Sequence, residues 1–414
     1  MNTLKTSLLT LAMLMSGSIM SQNHISYGSQ QSIDFKYLKG ERRILQTEGK
    51  SVAYRAFEGM SYVVNPVDKS CQTVNIYIPE AYYSGGSVNG YKSETAPIFM
   101  PIADASASVS AQKLDGDFYP CAKEALAEGY IVACPGYRVE SKMPSSIVDL
   151  KAVVRYLKYN DDDMPGDAEK IVAAGRGKGG GLAVLLGASG LSSDYDQYLD
   201  KLGATRSDDD VYAVAAFAPE TMANHADAAC KWQKRSLSDY SEFAEYINSM
   251  ELKDNDGSPL GLAKNGDGSF LRAVEALFVN SAQQAVSSGC KFDGQSYVTI
   301  SGGKVQGLNL AEYAKTLGLG NAVQSVADVD ASPLLIRMMT PTTYIGNTDV
   351  ELAKHWLMYQ GSADAVVPCA IPFILTRKLN AMGRKVDFRL CWGVGHDALW
   401  KSSDVFDWLS NICR

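Results

Sequence analysis

Short apolar runs alternate with helical stretches along the chain from Ala96 onward. Apolar runs without polar alternation are typical of strands that are covered on both faces. Six such strands are predicted, at residues 97–102, 130–135, 170–174, 212–218, 355–359 and 386–392. Helices are predicted between them, at residues 121–128, 145–158, 180–187, 370–382 and 403–412. This alternation predicts an α/β fold with a mainly parallel sheet and helices on both faces.

Two segments depart from the alternation. Residues 72–79 alternate polar and apolar positions, which indicates an antiparallel strand at the edge of the sheet. Between 221 and 350 the strand-helix rhythm stops, and we interpret this stretch as an inserted helical lid. Helices are predicted within it at 238–250, 270–288 and 309–316. The core then has a first part at 22–220 and a second part at 351–414.

The first 21 residues have the pattern of a secretory signal peptide. Lys5 supplies one positive charge, an apolar run follows at 8–15, and small residues follow at 16–18 and at Ser21. The apolar run is too short to span a membrane. The pattern predicts removal of residues 1–21 and a periplasmic or secreted protein. The alternative is a buried N-terminal helix.

The composition narrows the choice of partners. The 414 residues are 46% hydrophobic and 21% charged, which is enough to bury a large core. Because 46 acidic side chains outnumber 39 basic ones, the net charge of -7 repels nucleic acid and anionic membranes. The mean hydropathy is -0.11, and no internal segment approaches the roughly 20 apolar residues of a membrane helix. We expect neither a nucleic acid nor a membrane partner, and the oligomeric state stays open.

The cysteines indicate disulfides and no metal site. There are eight, an even number, and none form a Cys-x-x-Cys pair, so metal-ligand spacing is absent. In an oxidising compartment one or two disulfides are expected, whereas Cys134, inside an apolar strand, is interpreted as a core thiol. Residues 254–258 resemble a calcium loop, but Asn265 stands where a bidentate Glu is needed.

The most informative stretch is the strand-to-helix corner at 170–186. An apolar strand runs into Gly175-Arg176-Gly177-Lys178-Gly179 and continues as a helix. The pattern Gly-x-Ser-x-Gly at such a corner is a nucleophile elbow, where small residues let a strained serine stand clear of the sheet. The glycines are in place, and Gly177 stands where the serine is expected.

Two further strand ends carry the partners that such a serine needs. Asp364 follows the fifth predicted strand, and His396 follows the sixth. A strand-end carboxylate can orient an imidazole, and the chain order of nucleophile position, acid and histidine is that of an elbow-type hydrolase. His225 is interpreted as a structural or pocket-lining residue and His355 as a core histidine, which leaves His396 as the candidate base.

Five stretches around these residues resemble bacterial tannase-type α/β-hydrolases, which are relatives of the feruloyl esterases. The stretches are 145–157, 164–171, 185–190, 224–227 and 353–356. The resemblance runs from about residue 96 to the C-terminus and is most specific in the elbow region and the last 65 residues. It implies an α/β-hydrolase fold and hydrolysis of phenolic or aromatic esters by a serine, a histidine and an aspartate.

The resemblance assigns roles to residues of this chain. Asp364 matches the orienting acid, His396 the general base, and Gly177 the position of the serine nucleophile. The backbone N–H of Lys178 matches one oxyanion donor, and the loop at 101–104 is expected to supply the other. A small-molecule ester or phenolic ligand is therefore the expected partner.

The chain departs from the family pattern at two positions. Tannase-type enzymes carry a second acid two residues after the catalytic Asp, whereas this chain has Val366, which argues against galloyl specificity. Gly177 has no oxygen for an acyl-enzyme, and loss of a triad nucleophile typically removes about 10⁶ of rate. Two hypotheses follow, an impaired ester hydrolase or a non-catalytic relative that binds its ligand. If the other catalytic groups are in place, Gly177→Ser is expected to raise the rate of ester hydrolysis at least roughly a hundredfold over the unmodified chain.

The same glycines permit a rival interpretation. Gly175, Gly177 and Gly180 match the dinucleotide fingerprint Gly-x-Gly-x-x-Gly. That fingerprint needs an acid at the end of a second strand about 20 residues on, but residues 192–196 follow a glycine-serine loop and no strand. A phosphate-binding loop needs Ser or Thr after Gly-Lys, and Gly179 stands there. No cofactor is predicted.

Overall fold

The computed structural model describes the chain from residue 35 to the C-terminus, with gaps. The described residues are 35, 40–47, 49–114, 120–140, 144–221, 225–292, 294–317, 332–396 and 402–414. The predicted signal peptide at 1–21 lies outside them.

Nine strands form one central sheet, and two more form a separate hairpin. The strands are β1 (Glu41–Thr47), β2 (Lys50–Ser61), β3 (Thr73–Pro79), β4 (Pro97–Ile102), β5 (Ile131–Pro135), β6 (Asp167–Arg176), β7 (Ala213–Phe217), β8 (Val298–Ser301), β9 (Lys304–Leu308), β10 (His355–Gly361) and β11 (Lys385–Cys391). The sheet order is β1-β2-β3-β5-β4-β6-β7-β10-β11. Strands β5, β4, β6, β7, β10 and β11 are parallel to one another, which confirms the mainly parallel sheet.

Sequence patterning located the parallel strands better than the antiparallel ones. All six predicted parallel strands are present; the five inner ones are largely buried, whereas β11 at the edge of the sheet is mostly half-buried. The segment 72–79 forms β3 and pairs antiparallel as expected, but it is not the edge strand because β2 and β1 lie beyond it. Those two strands were missed because most of their positions are exposed or half-buried and charged residues interrupt their apolar positions.

The described part of the chain has eleven helices, of which eight begin and end within three residues of the predicted positions and three, at 196–202, 226–233 and 333–338, were not predicted. They are α1 (Pro120–Ala127), α2 (Ser145–Tyr159), α3 (Gly177–Ala188), α4 (Asp196–Leu202), α5 (Ala226–Gln233), α6 (Ser241–Ser249), α7 (Ser269–Ser287), α8 (Leu310–Thr316), α9 (Pro333–Met338), α10 (Ala370–Ala381) and α11 (Ser402–Cys413). Helix α3 begins three residues earlier than predicted, directly at Gly177, so the turn between strand and helix is very tight.

The stretch between β7 and β10 forms an insert with its own cluster of buried apolar side chains. Helices α5 to α8 and the β8-β9 hairpin belong to it, and the hairpin was not predicted. The cluster also includes side chains of α10 and β11, for example through the contact between Phe270 and Phe373, whose ring centroids are 5.5 Å apart. The insert is therefore packed against the strand ends that carry Asp364 and His396.

All eight cysteines lie in the described part of the chain, and all are free thiols. The expectation of one or two disulfides was therefore wrong. Seven of the eight are buried or half-buried, and burial raises the pKa of the Cys134 thiol inside β5. Among the described residues, no helix is both long enough and apolar enough to cross a membrane.

Candidate active site

The register of the sheet brings the ends of five strands, β4, β6, β7, β10 and β11, to one edge. Ile102 at the end of β4 pairs with Gly175, and Arg176 at the end of β6 pairs with Phe217. Strand β7 pairs in turn with β10, and β10 pairs with β11, where Gly361 lies opposite Cys391. Because the strands are parallel, the loops that follow them emerge side by side. Each predicted site residue lies in the first residues after one of these ends.

The glycines of the corner are required by close backbone packing. A Cβ atom on Gly179 would lie 2.4 Å from the carbonyl oxygen of Ile102, and one on Gly175 would lie 2.4 Å from the backbone of Gly179. Gly177 has a φ of +55°, the left-handed conformation that an elbow nucleophile adopts under strain and that glycine adopts freely. The chain therefore makes a sharp turn from strand to helix, with a glycine in the left-handed conformation at position 177.

His396 and Asp364 form a hydrogen-bonded pair. His396 Nδ1 lies 3.0 Å from Asp364 Oδ2. The other carboxylate oxygen accepts the backbone N–H groups of Val366 and Val367 at 2.8 and 2.9 Å, and Gln360 Nε2 donates to Oδ2 at 2.9 Å. Asp364 is buried and held from both sides, so it fixes the orientation of the imidazole.

Glu220 connects this pair to the glycine corner. Its backbone N–H donates to the carbonyl oxygen of Gly177 at 3.0 Å, and its Oε1 lies 3.8 Å from His396 Nε2. Burial raises the pKa of the Glu220 carboxyl group, and the nearby charges of Lys178 and His396 oppose that effect. The edge of His396 that is not held by Asp364 therefore faces the side of the corner.

Sequence reasoning missed Glu220, although a signal was present. It lies just after β7, at the same kind of strand end that marked Asp364 and His396. Applying the strand-end argument to every parallel strand, rather than only to those that match a triad, would have identified it.

Asp104 was also missed as a site residue, although its loop had been marked for an oxyanion donor. The Lys178 backbone N–H, the other predicted donor, donates to Asp104 Oδ1 at 3.1 Å. Arg176 Nη2 lies 3.8 Å from Asp104 Oδ2. The hydroxyl of Tyr137 donates to the carbonyl oxygen of Ala103 at 2.7 Å and holds this loop in place.

The remaining residues that the sequence singled out lie elsewhere or act through their backbone. Val366 contributes its N–H to Asp364. His225 stacks on Tyr246 with ring centroids 4.0 Å apart, and burial lowers the pKa of its imidazole. His355 lies in β10 beside Tyr212, and burial lowers its pKa as well. Within the described ranges, no group of three or more His, Cys, Asp or Glu side chains is arranged to hold a metal ion.

A mainly parallel sheet, an elbow-type corner after one strand and an Asp–His pair after two later strands define an α/β-hydrolase. A model of the BD-FAE family matches residues 91–254. A tannin acyl hydrolase solved in complex with 3,4-dihydroxybenzoate is 30% identical, with 93% of this chain and 99% of that chain covered and a TM-score of 0.87. The chain belongs to the tannase family.

Two further solved structures support this assignment. The Fusobacterium nucleatum tannase is 30% identical over 93% of this chain and 99% of its own, with a TM-score of 0.84. The tannin acyl hydrolase from Lactobacillus plantarum is 29% identical over the same shares, with a TM-score of 0.86. No curated protein sequence matches the chain.

Proposed function

We propose that this protein binds phenolic or aromatic esters at the Gly177 corner and hydrolyses them poorly, because the corner has no nucleophile. The observation that carries the proposal is an oriented Asp364–His396 pair beside an elbow whose apex is a glycine. In this proposal Asp364 orients, His396 is the base, and Gly177 holds the nucleophile position. Lys178 N–H lies where an oxyanion donor is needed.

The proposed impairment follows from the steps of ester hydrolysis. In a serine esterase the histidine removes the hydroxyl proton while the oxygen attacks the ester carbonyl, and the histidine then protonates the departing alcohol. Gly177 offers no oxygen, so no acyl-enzyme forms. What remains is slow attack by a water molecule, whose proton passes to the leaving alcohol through His396 or through solvent. Loss of the nucleophile typically lowers the rate by about 10⁶.

The proposed ligand class comes from the relatives and from the chemistry of the corner. One tannin acyl hydrolase was solved with 3,4-dihydroxybenzoate and another with ethyl gallate. We extend to this chain the shared feature of these ligands, an aromatic acyl group with phenolic hydroxyls. Val366 offers no carboxylate to those hydroxyls, so the proposal includes no preference for three hydroxyls over two or one.

The regions around the core have proposed roles as well. Residues 1–21 are proposed to direct export to the periplasm or the exterior, which fits the signal-peptide pattern. The insert at 221–350 is proposed to act as a lid, supported by its packing against α10 and β11 next to the site.

Hydrolysis by the unmodified chain tests the proposal. We expect wild-type turnover of ethyl gallate and methyl ferulate to stay within about tenfold of a His396→Ala variant, because without a nucleophile the base adds little. Initial rates by liquid chromatography at equal protein concentrations measure this. Ordinary esterase rates that His396→Ala abolishes would show that another group supplies the nucleophile.

The second hypothesis, a purely binding protein, is favoured by the same glycine. Calorimetric titration of the wild type with ethyl gallate decides whether a ligand is held at all. Saturable binding of ethyl gallate together with turnover at the background rate supports the hypothesis of a binding protein. Absence of binding would exclude that hypothesis for this ligand.

A further inference from the structure

Asp104 lies directly over the glycine corner, although it follows a different strand. A Cβ atom on Gly177 would lie 2.6 Å from Asp104 Oδ2 and 2.9 Å from Oδ1. Carbon and oxygen atoms that are not bonded do not pack at such distances. The Asp104 carboxylate therefore occupies the volume that any side chain at position 177 needs.

The same carboxylate accepts the hydrogen bond that the backbone of the corner can donate. The N–H of Lys178, the residue after the nucleophile position, is the donor that stabilises the oxyanion in an elbow-type esterase. Here it donates to Asp104 Oδ1 at 3.1 Å, at the N-terminus of α3, with Arg176 Nη2 at 3.8 Å from the other oxygen. A negative charge at this point is favourable for the helix terminus and the guanidinium. The donor therefore already holds an anion that the protein itself provides.

Glu220 adds a second acidic group to the same place. Its side chain is largely buried, and Asp104 is among the charges that raise its pKa. A ligand that brings a further negative charge to this corner would meet Asp104 directly and Glu220 beside it. An uncharged ester meets no such repulsion.

We propose that Asp104 is an internal anion that fills the oxyanion position, so that the site selects uncharged phenolic esters over free aromatic acids and resists ester hydrolysis independently of the missing serine. This inference rests on the proposed function for the identity of the ligands. It also revises the expectation that Gly177→Ser alone restores activity. A serine at 177 must displace the carboxylate, and the displaced carboxylate still competes with the oxyanion for the Lys178 N–H.

Binding of a matched ligand pair tests the charge selection without any turnover. Gallate and ethyl gallate share one ring and differ in a single negative charge, and calorimetry measures both against the wild type, Asp104→Ala and Asp104→Asn. We expect the wild type to bind gallate at least roughly tenfold more weakly than ethyl gallate, and Asp104→Ala to gain roughly tenfold or more for gallate. Asp104→Asn removes the charge but keeps the shape, so a smaller gain is expected.

A charge-matched control removes a carboxylate far from the site. Glu41 lies in β1, at the opposite end of the sheet order from β11 and five strands away from β6, and its side chain is exposed. Glu41→Ala should leave both affinities unchanged. If Asp104→Ala does not bind gallate more tightly than the wild type does, the inference is wrong. If the wild type fails to bind ethyl gallate while Asp104→Ala gains gallate, the proposed ligand class fails and the internal anion stands.

Restoring the nucleophile tests the second consequence. We expect the rate of ethyl gallate hydrolysis by Gly177→Ser to remain near background. The double variant Gly177→Ser/Asp104→Ala should hydrolyse ethyl gallate at least roughly a hundredfold faster than Gly177→Ser, because one oxyanion donor typically contributes that much to the rate. Thermal unfolding shows that each variant is folded, and Gly177→Ser/Glu41→Ala is the matched control. Equal activity of the single and double variants, well above background in both, would overturn the role of Asp104 and leave Gly177 as the only lesion. If folded variants are all inactive, the proposed hydrolase machinery fails, and the gallate titration decides on Asp104.

Discussion

At the scale of single residues, the site is defined by which groups are held in place and which are absent. Asp364 accepts hydrogen bonds from two backbone N–H groups, one amide and one imidazole, so its two oxygens are fully engaged. A carboxylate that only accepts is well suited to this position. Gly177 is the opposite case, since it has the positive φ that suits an elbow position and, under the proposed function, it lacks the oxygen of a nucleophile.

The hydrogen bonds of Asp364 predict that Asp364→Asn lowers stability and changes the protonation of the His396 ring. In Asp364→Asn the amide must point its NH₂ group at existing donors, so we expect the free energy of unfolding to fall by about 1–3 kcal/mol. His396 should also change tautomer, because the NH₂ group that replaces Oδ2 donates to Nδ1, which can then carry no proton. Urea unfolding and ¹⁵N NMR of the imidazole measure the two effects.

A control for this variant lies in the neighbouring strand. Asp387 in β11 pairs with Arg389, and both side chains are more than a third exposed. Exposed pairs contribute little, so Asp387→Asn should change stability by less than about 1 kcal/mol. Equal losses in the two variants would contradict the special position of Asp364.

At the scale of elements, the corner depends on the first turn of α3 lying against the end of β4. A Cβ on Gly179 would meet the carbonyl oxygens of Ile102 and Ala103 at 2.4 and 2.5 Å. Backbone atoms cannot rotate away as a side chain can, so the strand and the helix would have to separate. This contact also places Asp104, two residues beyond Ile102, over Gly177.

Gly179→Ala is therefore expected to destabilise the protein by about 1–3 kcal/mol, the usual cost of overpacking. Chemical unfolding measures the change. Gly307 in β9 is the matched control, since a Cβ there meets nothing within 4 Å, and Gly307→Ala should be close to neutral. A neutral Gly179→Ala would mean that α3 and β4 are not packed as described.

A second element contact is the buried ion pair between α2 and the loop before β7. Lys151 Nζ lies 2.7 Å from Asp209 Oδ1, and Arg155 lies 2.8 Å from Oδ2. Burial by itself raises the pKa of Asp209, but the two cations outweigh it and hold the pKa below its ordinary value. The carboxylate therefore stabilises the fold above the unfolded-state pKa of about 3.9, and this stability is lost as the pH falls through the lower folded-state pKa.

Asp209→Asn tests that linkage. At neutral pH the variant leaves Lys151 buried beside an uncharged amide, and a loss of about 3–5 kcal/mol is expected. The difference in stability from the wild type should narrow as the pH falls below about 4, since Asp209 is then protonated in the unfolded wild type while the folded protein keeps it charged to a lower pH. Urea unfolding of both proteins at several pH values measures this difference in the free energy of unfolding. A gap that stays constant across this range would contradict the assigned direction of the pKa.

The sequence predicted those elements whose burial leaves a clear pattern. The inner parallel strands are buried on both faces, so β6 and its neighbours β4 and β7 appear as apolar runs. The exposed β1 and β2 carry charges such as Arg55 and Glu58, and a pattern based on burial could not find them. Asp104 was missed for another reason. Its role comes from the approach of two loops that lie 74 positions apart in the chain, and no local pattern encodes that contact.

At the scale of the whole molecule, the site is built where two packed bodies of apolar side chains meet the edge of the sheet. The main cluster lies around the sheet, and the second one joins the insert to α10 and β11. Asp364 lies between β10 and α10, and His396 follows β11, so both belong to the part that contacts the insert. The acidic pair, Asp104 and Glu220, comes from the other side, after β4 and β7.

The central claim is that residue 177, His396 and Asp364 converge on one reactive point. The most direct measurement is covalent labelling of the Gly177→Ser/Asp104→Ala variant with a fluorophosphonate, followed by intact-mass and peptide analysis. The account predicts one label per chain, located at position 177 and lost when His396→Ala is added. A folded variant that takes no label, or one labelled regardless of His396, would contradict it.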